Sequence, residues 1–330
     1  MDAKITKKRL SRLLSYDWIK IVALCVAAIL VWSLIFTMTA TKITAAQQFT
    51  VFNYTYNGVF KDSFYSHYSN AFRGDTFSYE VLEINSQDLA ASGEENAYTL
   101  LEGRLGTSEG DVMFIPHIDD PNTKIEPTEE GGEVTYPYKH TETFFNVWYN
   151  YVADVDEYLD SLRQYLSGYY ANGDYKNGAL DEQKVIEDFD ARVKRNKDKR
   201  FRKAKDLESG RGAELNRIQK YAAALAQFEE YLEIGLIKFV PLEVKSKEGK
   251  VIRSGNFAVN LCPDKEKMGN LKNFAYYNVD VDGDGVKESA ENMCVMFFDL
   301  KDVEDTFEYE SLLYITSVIE NSRTDTPTNE

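Results

Sequence analysis

LLEGRLGTSEGDVMFIP, residues 100–116, changes its period halfway along, and that change decides the fold class. With Tyr98 just upstream, Leu101 and Leu105 recur at helical spacing, and Gly106 and Gly110 then punctuate the chain. Asp111 opens an unbroken apolar run that Pro116 closes, which predicts a strand covered on both faces. Helix, glycine turn and buried strand make the second half of a crossover unit.

The residues upstream supply the first half. QFTVFNY (48–54) is β-branched and aromatic and predicts a strand. GVFKDSFYSHYSNAF (58–72) spaces Phe60, Phe64, Tyr68 and Phe72 as on a helix, and FSYEVLEIN (77–85) alternates as a second strand. Strand, helix, strand, helix, strand predicts an α/β fold with a parallel sheet, because each crossover returns the chain to the same end. Ligands on such sheets gather at the carboxyl ends of the strands. Here those ends bring forward Asn53, Tyr54 and His117 as candidate ligand-binding residues.

Further along, residues 117–142 hold Pro121, Pro127 and Pro137 with Gly131-Gly132 and no helical period, so 120–142 is expected to be a loop. A helical region is expected over 143–235. Phe145, Trp148, Val152, Val155, Leu159, Leu162, Leu166 and Tyr169 form one stripe over 143–170; a charged helix follows over 181–205 and a third over 212–235. Strands return in LIKFVPLEV, GNFAVNL, AYYNVDV and MCVMFFDL, and EYESLLYITSVIEN closes a second α/β segment over 236–321. The polar residues 322–330 are expected to fray.

The amino terminus locates the protein. The first 20 residues carry a net +4, and IVALCVAAILVWSLIFTMTA (21–40) is uncharged. A transmembrane helix over 21–41 is expected, with Trp18 and Trp32 at the interfaces and the lipid bilayer as its partner. A cleaved signal peptide is the alternative; its apolar run would be shorter than this one. The basic segment 1–20 is expected to stay in the cytoplasm, leaving a single-pass protein of the cell membrane with its carboxyl-terminal domain outside. Because the chain totals −16, the residues after the first 20 carry −20, which excludes nucleic acid as a partner. Of three cysteines, Cys262 and Cys294 lie outside, either paired or as two buried thiols.

NVDVDGDGVKESAE (278–291) has the spacing of a calcium loop. Asp280, Asp282 and Asp284 converge, Gly285 permits the sharp turn, the Val286 carbonyl follows, and Glu288 or Glu291 closes the shell. The alternative is an acidic hairpin with no ion. A structural Ca²⁺ is the expected cofactor.

No metalloprotease helix, nucleophile elbow or phosphate-binding loop occurs, so no enzyme is expected. RVKRNKDKRFRKAK (192–205) carries nine basic residues against one acid, as a solvated helix face or as a docking surface. Trp148, within FFNVWYNY (144–151), either packs in the core or offers a ring face to a sugar.

Residues 48–119 resemble the amino-terminal lobe of extracellular solute-binding proteins of ABC importers, the type II periplasmic-binding fold. The resemblance rests on the strand–helix order and on LLEGRLGTSEGDVMFIP. It implies a two-lobed ectodomain, with 143–235 as a helical insertion, that closes on a small solute such as a sugar and passes it to a transporter permease. The alternative is an extracellular interaction or assembly ectodomain with a structural calcium site.

Overall fold

The computed structural model describes residues 7–39, 43, 47–54, 57–123, 138–267, 269–280, 283–299 and 309–323. The chain divides into two units, residues 1–43 and 44–330. The first contains helix α1 (Lys7–Thr39). Its segment Trp18–Thr37 is long and apolar enough to cross a membrane.

The second unit is built on β1 (Gln48–Asn53), which runs parallel to both its neighbours. After it come β2 (Gly58–Phe60), the short helices α2 (Asp62–His67) and α3 (Arg73–Thr76), and β3 (Glu83–Asp88). Helix α4 (Glu94–Gly106) and β4 (Val112–Pro116) follow as the opening stretch predicts. Gly110 makes that turn possible: its φ is +147°, and a Cβ there would come within 2.9 Å of the Phe52 ring. Asp111 then holds the strands together. Its carboxylate accepts from Thr50 N–H at 2.7 Å, and its carbonyl accepts from Phe298 N–H at 2.9 Å.

Four helices come next: α5 (His140–Trp148), α6 (Val155–Ser167), α7 (Glu182–Asn196) and α8 (Ala204–Glu233). The chain then forms β5 (Lys238–Lys245), β6 (Val251–Asn260), β7 (Ala275–Asn278), β8 (Glu288–Ser289), β9 (Met293–Phe297) and α9 (Glu310–Arg323). The main sheet has the order β3-β1-β4-β9-β6-β5, and β2-β7-β8 form a small second sheet. The main sheet is mixed, because β9 runs antiparallel to both β4 and β6.

Alternate residues feed cores on opposite faces, as a pleated strand requires. Val51, Val112, Phe114, Val295 and Phe297 join α6, α8 and α9 on one face. Phe52, Met113, Ile115, Cys294 and Met296 join α4 and α5 on the other.

The expected division into two lobes is not confirmed. β6 and β9, from the expected second lobe, complete the same sheet as β1 and β4, and residues 44–330 form one compact unit. The helical region is equally no insertion, since α6 and α8 cover one face of that sheet.

Three element boundaries also shift. The expected helix over 58–72 starts as strand β2, and the Phe60–Phe64 spacing reflects two stacked rings, 4.1 Å apart, at a strand–helix corner. The second strand is Glu83–Asp88 instead of 77–85, since Ser78 and Glu80 turn inward to polar partners and break the alternation. The stripe over 143–170 belongs to two helices, because Asp154 caps α6 by accepting from Asp156 N–H at 2.9 Å. The expected loop's residues 124–137 and the tail's residues 324–330 lie outside the described residues.

Candidate functional site

In the order β3-β1-β4 the chain changes direction of growth at β1, so the switch point lies between the carboxyl ends of β1 and β4. Tyr54 and His117 touch α5 there, whereas Asn53, at the end of β1, faces the turn into β2. Asn53 is 2% exposed, and with its amide oriented to satisfy both, its oxygen accepts from the N–H groups of Val59 at 2.8 Å and Phe60 at 3.3 Å. It pins the turn into β2. Tyr54 donates its N–H to the Phe114 carbonyl at 2.9 Å, and its hydroxyl lies 3.2 Å from that of Tyr98. Its ring packs edge-on against His140 and Phe144 of α5. His117 Nδ1 sits 2.6 Å from the Thr141 hydroxyl, and burial lowers the His117 pKa. Trp148, half-buried, stacks on Phe144 with centroids 6.3 Å apart and packs against the core on this face.

The residues that organise this end were not legible in the sequence. Asp120, 2% exposed, accepts from the Thr143 hydroxyl at 2.8 Å and from Asn122 N–H at 2.9 Å, and lies 3.8 Å from His140 Nδ1. Burial pushes the His140 pKa down to about 4 against the pull of Asp120, so at neutral pH the imidazole is uncharged. Asp120 and His140 lie 20 positions apart, and no helical or strand period links them. Together these groups close the switch point with protein atoms. Asn53 and Tyr54 keep almost no surface on which a solute could rest.

At the acidic loop, the Asp280 carboxylate accepts from Gly283 N–H at 2.8 Å and Gly285 N–H at 3.0 Å, and Asp284 accepts from Val286 N–H at 2.7 Å. Gly283 and Gly285 take φ of +73° and +84°, the left-handed conformation that this turn demands and glycine permits. Asp284, Glu288 and Glu291 line one recess of about 230 Å³ beside Lys265 and Lys272. Glu288 is also paired with Lys61 at 2.9 Å, which ties the loop to the β2 end of the small sheet. Asp282 lies outside the described residues. Among the described residues no group of three metal-binding side chains is already gathered as a shell.

Another buried polar cluster gathers around α8. Arg217 of α8, fully buried, binds Glu214 through Nη2 at 2.6 Å and Nε at 2.9 Å. Arg192 reaches Glu214 at 3.0 Å and Glu80 at 3.3 Å, and Arg200 reaches Glu80 at 2.7 Å. Two arginines of the basic stretch therefore point inward, so that stretch is not wholly a solvated face. Nearby, Glu310 at the start of α9 accepts from Ser78 N–H at 3.0 Å and the Tyr221 hydroxyl at 2.7 Å. Burial raises its pKa.

Cys262 and Cys294 are free, buried thiols. Cys262 belongs to the core on one face of the sheet and Cys294 to the core on the other, which keeps them apart.

No protein-family model, no curated protein and no solved structure matches this chain.

Proposed function

We propose that this protein is a membrane-anchored ectodomain that holds a partner protein at the cell surface, with calcium bracing the loop at 280–291. The observation that carries this reading is the closed switch point. A receptor that engulfs a solute needs an open crevice or a hinge, whereas here α5 and the turn into β2 occupy the crevice, and the main sheet joins β1 and β4 directly to β9 and β6. A rigid body on a single anchor suits lateral assembly. The basic amino terminus favours the outward orientation.

The cation would take Asp280, Asp282, Asp284, the Val286 carbonyl and one of Glu288 or Glu291. A hard ion there supplies charge neutralisation and no reaction step. The recess that Asp284 shares with Glu288 and Glu291 supports this reading.

A second reading, a solute receptor serving an ABC-type permease, draws support from the β3-β1-β4 order, which sets the carboxyl ends of β1 and β4 side by side. Sizing the full chain after gentle extraction from its own membrane separates the two. Partner holding predicts a complex with a second protein in fixed stoichiometry. A lone chain that becomes more compact when solutes are added would overturn it and favour the receptor.

A further inference from the structure

Strand β5 ends the main sheet and, among the described residues, pairs only with β6. Alternate residues of such a strand turn their N–H and C=O groups outward, where another strand can take them up. Its register against β6 shifts between Val240 and Pro241 and again between Val244 and Lys245, proline has no N–H, and Ser246 is already bonded to Lys250 and Gly249 in the turn, so the usable edge is Leu242–Lys245. A groove of about 840 Å³ runs there, lined by Leu242 and Val244 of the strand and by Tyr138, Glu142 and Asn146 at α5.

The charge of this edge is opposite to that of the domain. Residues 238–253 carry Lys238, Lys245, Lys247, Lys250 and Arg253 against Glu243 and Glu248, a net +3 within a region of −20. Arg253 is turned inward to the Val152 carbonyl at 2.8 Å, while the four lysines are exposed, Lys245 paired with Glu243 at 2.5 Å and Lys247 and Lys250 at the hairpin tip. Exposed Val251 and Ile252 add apolar surface at the hairpin tip.

We propose that β5 takes up an acidic, extended segment of a partner protein as an added strand, with Lys245, Lys247 and Lys250 facing its carboxylates. The proposal rests on the partner-holding reading above and names how the partner is held. A membrane surface would satisfy the lysines but leave the strand's N–H and C=O groups unpaired, which is why a peptide fits better. A second copy fits worse, since full antiparallel overlap of two β5 strands sets Lys238 of one against Lys245 of the other at both ends.

The test uses the full chain in zwitterionic nanodiscs, an alternating Glu-Val octapeptide, its Lys-Val counterpart, and hydrogen exchange read at 242–245. The Glu-Val peptide should slow exchange there, and the Lys-Val peptide should not bind. Lys245→Glu with Lys247→Glu should weaken the Glu-Val peptide about tenfold, equivalent to ~1.4 kcal/mol. Binding without protection at 242–245, binding unchanged in the double variant, or protection that rises with protein concentration alone would each overturn the proposal. The last would indicate self-pairing. The extracted complex, sized with the same double variant, is a separate readout. A complex that persists undiminished overturns the β5 assignment while leaving partner holding intact; no complex in the wild type removes the reading on which both stand.

Discussion

Replacing Arg217 with Met should destabilise the body severely, and replacing its partner as well should restore much of the loss. The Arg217 side chain has no exposed surface and donates to Glu214 twice and to the Tyr165 hydroxyl at 2.9 Å. Removing it leaves the Glu214 carboxylate, 5% exposed, supported by Arg192 at 3.0 Å and the Tyr79 hydroxyl at 2.8 Å. Breaking a buried pair from one side costs about 3–5 kcal/mol, and the remaining Arg192 contact places this case near ~3. At about 2–4 °C per kcal/mol for a domain of this size, melting should fall by ~6–12 °C. Arg217→Met with Glu214→Leu removes both charges and should recover most of that, because the loss comes from the stranded carboxylate more than from the lost attraction. The assay is thermal unfolding of the full chain in detergent, followed by circular dichroism. A double variant as unstable as the single one, or a single variant shifted by less than ~2 °C, would refute the reasoning.

The Asp111 carboxyl, half-buried and pushed up to about 7 by desolvation, should give the fold a pH dependence of definite sign. Its folded pKa lies above the unfolded value, so its stabilisation is complete below about pH 4 and fades as pH rises through about 7. Asp111→Asn, which still accepts from Thr50 N–H, should flatten the denaturation midpoint between pH 5 and pH 8; a slope unchanged by the substitution would contradict this. Calcium at about millimolar, with a Kd near ~10⁻⁴ M, should stabilise by roughly 1.4 kcal/mol, or about 3–6 °C. Asp280→Ala should abolish the shift, and an equal shift in the variant would reduce the loop to an acidic turn. Reductant should leave electrophoretic mobility and melting unchanged, since Cys262 and Cys294 feed opposite faces of the sheet. A drop in melting would show that they pair.

The sequence was most informative where a residue's neighbours in the chain are also its neighbours in space. The glycine turn into Asp111 was legible because Gly110 must avoid Phe52 and the strand after it is buried on both sides. The apolar run at Trp18–Thr37 was legible from composition alone. Period failed where polar side chains turn inward. Ser78 and Glu80 look like the solvent face of a strand, yet they serve Glu310, Arg192 and Arg200, so the strand begins only at Glu83. One hydrophobic stripe passed through both α5 and α6 because Val152 is buried in the link between them as deeply as a helical residue. Strand order is a long-range property: nothing local to MCVMF announces that it enters between β4 and β6. The candidate site shared this fate. The strand-end rule brought forward Asn53, Tyr54 and His117, but that α5 covers Tyr54 and His117 depends on Thr141, Phe144 and Asp120, which no spacing connects, and Asn53 serves the turn into β2.

A membrane-impermeant, amine-reactive cross-linker applied to intact cells tests the central claim most directly, because it reads orientation and partner holding at once. The account predicts cross-links from lysines between Lys194 and Lys250 to a second protein, and none from Lys4, Lys7, Lys8 or Lys20. Labelling of those amino-terminal lysines, or cross-links that run only within this chain, would contradict it.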